Sequence, residues 1–140
     1  RQALLSTHPD ALIMGSDQVA MVDGRAIGKP GRHDAALRQL MEMRSRSVTF
    51  HTAVAVTDGT SGQTRSESVP TTVWFRDYTE AEAEAYLQRD RPYDCAGSAK
   101  IESLGIALVE RVDSTDPTAL IGLPMIALSR MLRCSGLSPI

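Results

Sequence analysis

Two stretches rich in β-branched residues set the tightest limit on what this chain can fold into. Residues 48–56 read Val-Thr-Phe-His-Thr-Ala-Val-Ala-Val and residues 69–75 read Val-Pro-Thr-Thr-Val-Trp-Phe, with Asp58-Gly59-Thr60-Ser61-Gly62 between them. Alternating β-branched runs on either side of a polar turn that carries glycine form a long antiparallel hairpin. Proline cannot donate to a ladder, so Pro70 marks an edge, or the start of the second strand's regular part.

The flanking segments must pack on that hairpin. Residues 11–14, Ala-Leu-Ile-Met, read as a short buried strand ending at Gly15, and Gln18 to Val22 as a second short strand closed by the turn dipeptide Asp23-Gly24. Ala36, Leu37, Leu40, Met41 and Met43 fall at mostly helical spacing within 33–44. Thr79 followed by Glu82 is a capping-box pattern opening a helix to about Arg89. Leu104 to Val112 reads as a further strand. Residues 123–134 read as an amphipathic helix, with Pro124 in its first turn and Gly136 as its stop. Helices interleaved with strands, one pair of them a hairpin, give an α/β class with a mixed sheet and flanking helices.

The 140 residues suit a single domain, residues 1–140. A net charge of −2 lacks the basic surplus of a nucleic-acid polymer binder. No apolar run approaches the roughly 18 residues of a membrane span. Cys95 and Cys134 match no metal spacing and read as reduced thiols of a cytoplasmic protein. The first residues, which lack Met, read as the tail of a helix broken before Pro9. That pattern implies that a further segment precedes them.

Four places could carry chemistry. Asp17, in Gly15-Ser16-Asp17-Gln18, sits just past an apolar strand, where a carboxylate can hold a metal or take a proton from water; it could equally satisfy turn N–H groups. Lys29, between Gly28 and Pro30, is a point charge for phosphate or a solvated surface lysine. In residues 94–102 the small residues around Gly97 let a backbone approach a ligand, flanked by Lys100 and Glu102. The start of the last helix, after Gly122, could receive an anion or be a plain strand-to-helix junction. His8, His33 and His51 share no ligand spacing, which argues against zinc.

Taken in order, Ser16-Asp17-Gln18-Val19, Gly28-Lys29-Pro30, Cys95-Ala96-Gly97-Ser98 and Ile121-Gly122-Leu123-Pro124 resemble the Maf family of nucleoside-triphosphate pyrophosphatases along the whole chain. Gln18 and the run Gly97-Ser98-Ala99-Lys100-Ile101-Glu102 resemble the subfamily acting on 7-methyl-GTP. The resemblance implies a mixed-sheet α/β fold with a cleft, like that of the inosine triphosphate pyrophosphatases. It implies cleavage between the α- and β-phosphates, with Mg or Mn as the divalent cation. Asp17 would be the proton acceptor and metal ligand, and Lys29 would hold phosphate. Ser16, Gln18, Gly97, Lys100 and Glu102 would contact the substrate. The expected partners are a small-molecule nucleoside triphosphate and a second copy in a homodimer, with no membrane. The family's Ser-x-Ser-x-x-Arg phosphate loop does not occur in this sequence. The competing reading is a non-catalytic nucleotide- or partner-binding regulator of septum formation, or an inactive fragment.

Overall fold

The computed structural model describes residues 8, 10–138 and 140; the helix tail expected over residues 1–7 lies outside them. β1 (Leu12–Val22) and β2 (Arg25–Ile27) are followed by helix α1 (His33–Met43). The long hairpin β3 (Ser47–Asp58) and β4 (Thr64–Phe75) leads to α2 (Glu80–Asp90), then β5 (Val109–Ser114) and α3 (Met125–Cys134). The strands lie in the order β2-β1-β3-β4-β5, and all four pairings are antiparallel. Helices pack on a sheet as the α/β reading expected, but among the described residues the sheet is wholly antiparallel and not mixed, because each strand returns beside its neighbour in sheet order.

The hairpin is the sheet's centre. Its register runs unbroken from Ser47 opposite Trp74 to Thr57 opposite Thr64. The turn closes on Asp58, whose carboxylate accepts the Thr60 N–H at 2.9 Å, while Gly62 takes φ 70°, a left-handed conformation that costs glycine little. Pro70 falls where β5 has not yet joined: pairing with β5 starts at Thr71, so among the described residues one flank of β4 is unpaired at the proline. That agrees with the reading of Pro70 as an edge position and not with the start of the regular part, because pairing with β3 already runs from Thr64.

Two elements differ from expectation. Residues 12–22 form one strand, in register with β3 from Leu12 opposite Asp58 to Met21 opposite Thr49. Gly15 does not end it, because the long partner strand β3 continues alongside and the Ser16 hydroxyl donates to the Ala53 carbonyl at 2.7 Å. Asp17 therefore lies within a strand and not past its end. The expected strand over residues 104–112 is a 3₁₀ turn at Leu104–Leu108 followed by β5. The N–H of Gly105 returns to the Lys100 carbonyl at 3.0 Å, which curls the chain before it can extend.

One face of the sheet carries the core, in two parts. Ala20, Val22, Val48, Phe50, Val73 and Phe75 pack under Leu40 and Met43 of α1 and Leu87 of α2. Val54, Val56 and Val69 pack under Ala127, Leu128 and Met131 of α3. Between them the same face carries buried hydroxyls: Thr52 and Thr71 are fully inaccessible, and Thr71 bonds Ser114 at 2.8 Å. Among the described residues no helix is long and apolar enough to cross a membrane.

The capping box on α2 is present in full: the Thr79 hydroxyl accepts the Glu82 N–H, and Glu82 accepts the Thr79 N–H at 2.7 Å. The Arg76 guanidinium, then the Thr79 N–H, hold the Glu82 carboxyl down at about 2, against an ordinary 4.5. The folded value lies below the unfolded one. The stabilisation is therefore complete above about 4.5 and is lost as pH falls toward about 2. Thr79→Ala should cost about 1 kcal/mol near neutral pH. Glu82→Gln should lower the urea midpoint near neutral pH and leave it close to the parent's at the acid end, measured by circular dichroism.

Candidate functional site

A cleft of about 270 Å³ opens between β1, the loop before α1, residues 94–102 and the 3₁₀ turn at Ala119–Ile121. Ser16, Asp17, Gln18, Lys29 and Glu102, five positions singled out from the sequence, all line it. Gly97 and Lys100 do not. Gly97 lies behind the cleft at φ 72°, where an added Cβ would sit 3.5 Å from the Phe50 ring, so it packs the core. The Lys100 backbone N–H donates to the Tyr86 hydroxyl at 2.9 Å, and its ammonium lies 3.9 Å from Asp94.

Each wall has its own support. Asp17 is exposed, and one carboxylate oxygen accepts the Gln18 N–H at 2.9 Å, leaving the other for a ligand. The Ser16 hydroxyl reaches both the Ala53 and the Gly122 carbonyls at 2.7 Å, tying β1 to the far wall. The Lys29 loop is held by Gln39, which donates to the Gly28 carbonyl at 3.1 Å and accepts from the Ser98 hydroxyl. One side chain of α1 thus joins the lysine loop to the small-residue loop. Among the described residues Lys29 makes no ion pair.

Glu102 stands on a turn anchored by α2. Besides Tyr86, Asp90 accepts the Ser103 hydroxyl at 2.7 Å and the Leu104 N–H at 3.1 Å. Burial pushes the Tyr86 phenol well up, so it stays protonated and keeps its place in this turn. Cys95 also lines the cleft. Burial, then the neighbouring Asp94 carboxylate, pushes its thiol up, which keeps it protonated and unsuited to nucleophilic attack.

The far wall is set by Asp116, which sequence reading missed. Its carboxylate accepts the Thr118 N–H and hydroxyl and the Ile126 N–H, at 3.0, 2.6 and 2.7 Å. Burial acts to raise this carboxyl, but the bonds from Thr118, Ile126 and Ala127 outweigh it and hold the group low. The Thr118 hydroxyl accepts the Met125 N–H at 2.8 Å. These groups already occupy the start of α3, so of the two readings offered for it, an anion site or a plain junction, the junction capped by the chain's own carboxylate is what the hydrogen bonds favour. Thr52 and Phe50 were missed too, because a buried strand residue reads as core whether or not a cleft opens beside it.

Chemically the cleft combines three carboxylates (Asp17, Asp94, Glu102) and one ammonium (Lys29) with apolar surface from Phe50, Ile101, Leu120 and Ile121. Among the described residues no three acidic, histidine or cysteine side chains cluster closely enough to cage a metal. Magnesium commonly binds through one or two carboxylates together with substrate phosphates, and the exposed Asp17 oxygen fits that mode.

Gly105 sets the tightest contact near the cleft. An added Cβ would lie 2.4 Å from the Lys100 carbonyl oxygen and 2.9 Å from its nitrogen, both backbone atoms that cannot step aside. Gly105→Ala should cost about 1–3 kcal/mol of stability and displace the turn that carries Glu102, with denaturant unfolding and ligand titration as the readouts.

The Maf-like protein family model matches residues 1–135. A 7-methyl-GTP pyrophosphatase of Cupriavidus pinatubonensis is 59% identical over 135 residues, covering 96% of this chain and 68% of that protein. One of Aromatoleum aromaticum is 55% identical over 136 residues, covering 97% and 70%. One of Thiobacillus denitrificans is 53% identical over 135 residues, covering 96% and 67%.

Proposed function

This chain belongs to the Maf family, and from that premise we propose that it hydrolyses a nucleoside triphosphate, 7-methyl-GTP, to the monophosphate and pyrophosphate. The observation that carries the reading is the single cleft shared by Asp17, Lys29, Gln18 and Glu102, which are scattered along the sequence, in a chain whose relatives are named for that activity.

The roles follow from charge and exposure. Asp17, with one oxygen pinned by the Gln18 N–H, offers the other to the attacking water and accepts its proton. Lys29 sits on the same cleft with no carboxylate partner among the described residues, and it stabilises charge gathering on the phosphates. Cys95, kept protonated by burial and by Asp94, takes no part as a nucleophile in this reading. Glu102 accepts the N1–H and N2–H of guanine, and its charge answers the cationic 7-methylated ring.

Three carboxylates against one ammonium make the cleft a poor host for a bare triphosphate. A divalent cation, Mg or Mn, brought in with the phosphates and held by Asp17, would neutralise their charge. The enzyme so described works in the cytoplasm, as a homodimer, on a small-molecule substrate.

Asp17→Asn should lower pyrophosphate release from 7-methyl-GTP by about 10²-fold or more, with stability unchanged. Near-parental release would remove Asp17 from the chemistry. Glu102→Gln should narrow the preference for 7-methyl-GTP over GTP by about tenfold, measured as the ratio of kcat/KM values.

A further inference from the structure

We propose that Gln18 faces the cleft as a hydrogen-bond acceptor only, and that Thr52 is the positioning residue that keeps it so. The inference rests on the nucleotide reading above and adds the polarity of the base subsite.

The orientation of a carboxamide is fixed by what its two ends meet. The Nε2 of Gln18 lies 3.1 Å from the Ala119 carbonyl, 3.1 Å from the Leu120 carbonyl and 2.8 Å from the Thr52 hydroxyl oxygen. Two of these partners are carbonyls, which can only accept, so the end facing them must be the amide N–H₂. Thr52 agrees with that assignment. Its own proton goes to the Ala119 carbonyl at 2.8 Å, so toward Gln18 it too can only accept. Turning the carboxamide over would set its oxygen against three acceptors inside a buried site.

The other end is then the oxygen. None of these bonds uses it, and no buried side-chain oxygen or nitrogen among the described residues lacks a partner. Gln18 is half-buried and lines the cleft, so its oxygen is open to the cleft. Glu102 across the same cleft is an acceptor as well. A ring held between them must offer N–H groups to both. A purine whose edge carries adjacent N–H donors meets that demand. A ligand edge whose main offering is a carbonyl oxygen meets an acceptor and loses.

Thr52 acts twice. It bonds Gln18 directly, and it fixes the Ala119 carbonyl that orients the same amide. Thr52→Val removes both contacts at nearly constant volume. The Ala119 carbonyl keeps the Gly122 N–H at 3.0 Å, so the turn retains a partner and the variant should fold. Thr52→Ser keeps the hydroxyl.

The test uses binding, so that it does not depend on turnover. Unaltered chain, Thr52→Val, Thr52→Ser and Gln18→Met are titrated with 7-methyl-GTP and with UTP by calorimetry. The Gln18 side-chain N–H₂ signals are followed by NMR without ligand. The expected result is slow solvent exchange of those protons in the parent and in Thr52→Ser, and faster exchange in Thr52→Val. Affinity for 7-methyl-GTP should fall about tenfold in Thr52→Val and in Gln18→Met, with UTP binding no weaker than in the parent and Thr52→Ser close to the parent. Rapid exchange in the parent overturns the orientation itself. Slow exchange with unchanged 7-methyl-GTP affinity in both Thr52→Val and Gln18→Met overturns the role in base recognition. A parent that binds neither nucleotide overturns the functional reading, and with it the ligand assigned to Gln18, while the exchange data still decide the orientation.

Discussion

The hydroxyl of Thr52, buried at the centre of the sheet, ties β3 to Gln18 of β1 and to the Ala119 carbonyl far along the chain. It belongs to a polar row that runs across four strands, from Gln18 through Thr52 and Thr71 to Ser114. Ser114 donates to the Asp116 carbonyl, so the row's proton direction is set: Thr71 donates to Ser114. The row carries Gln18 and Thr52 to the Ala119 and Leu120 carbonyls and Ser114 to the Asp116 carbonyl, while Ala119 and Leu120 add apolar contact of their own. A buried polar group left unpaired costs about 1–3 kcal/mol, so the segment is held where the hydroxyls are.

Two consequences follow from that placement. Asp116, fixed by the row, reaches over to cap α3, whose own N-cap position is a proline with no side-chain acceptor. The helix over the second apolar cluster therefore depends on the polar seam. The carbonyls of Ala119, Leu120 and Gly122 also become the far wall of the cleft, meeting β1 through Gln18 and Ser16. The cleft opens where the seam reaches β1. Among the described residues β2 pairs with β1 only from Ala20 to Val22, so at Ser16 and Asp17 the strand has one free flank.

Local patterns in the sequence revealed most of the fold and only part of the site. The β3–β4 hairpin, the capping box at Thr79 and the apolar stripe of α1 are written in residues close together in the chain, and each formed as read. The split strand at Gly15 was misread because glycine and serine usually weaken a strand locally. A twelve-residue partner, β3, supplies the missing support from outside that window. Thr52, Thr71 and Asp116 were illegible for a related reason. A threonine in a β-branched run looks like a core residue, and only the distant Ala119 carbonyl shows that it is a polar anchor. Gly97 lies outside the cleft lining, beside Phe50 and Met43, and its φ of 72° is what favours glycine there.

The cleft's loops are each tied from outside it. Asp17, Asp94 and Glu102 lie in its lining, with Lys29 as the one lysine or arginine beside them there. Here each loop is fixed at its backbone by groups outside the cleft: Gln39 for the Lys29 loop, Tyr86 and Asp90 for the Glu102 turn, and the Gln18 N–H for Asp17 itself. Fixed turns keep the Asp17 and Glu102 side chains on opposite walls of the cleft, and a cation arriving with the phosphates, as proposed above, would find the Asp17 oxygen already set by its neighbour's N–H.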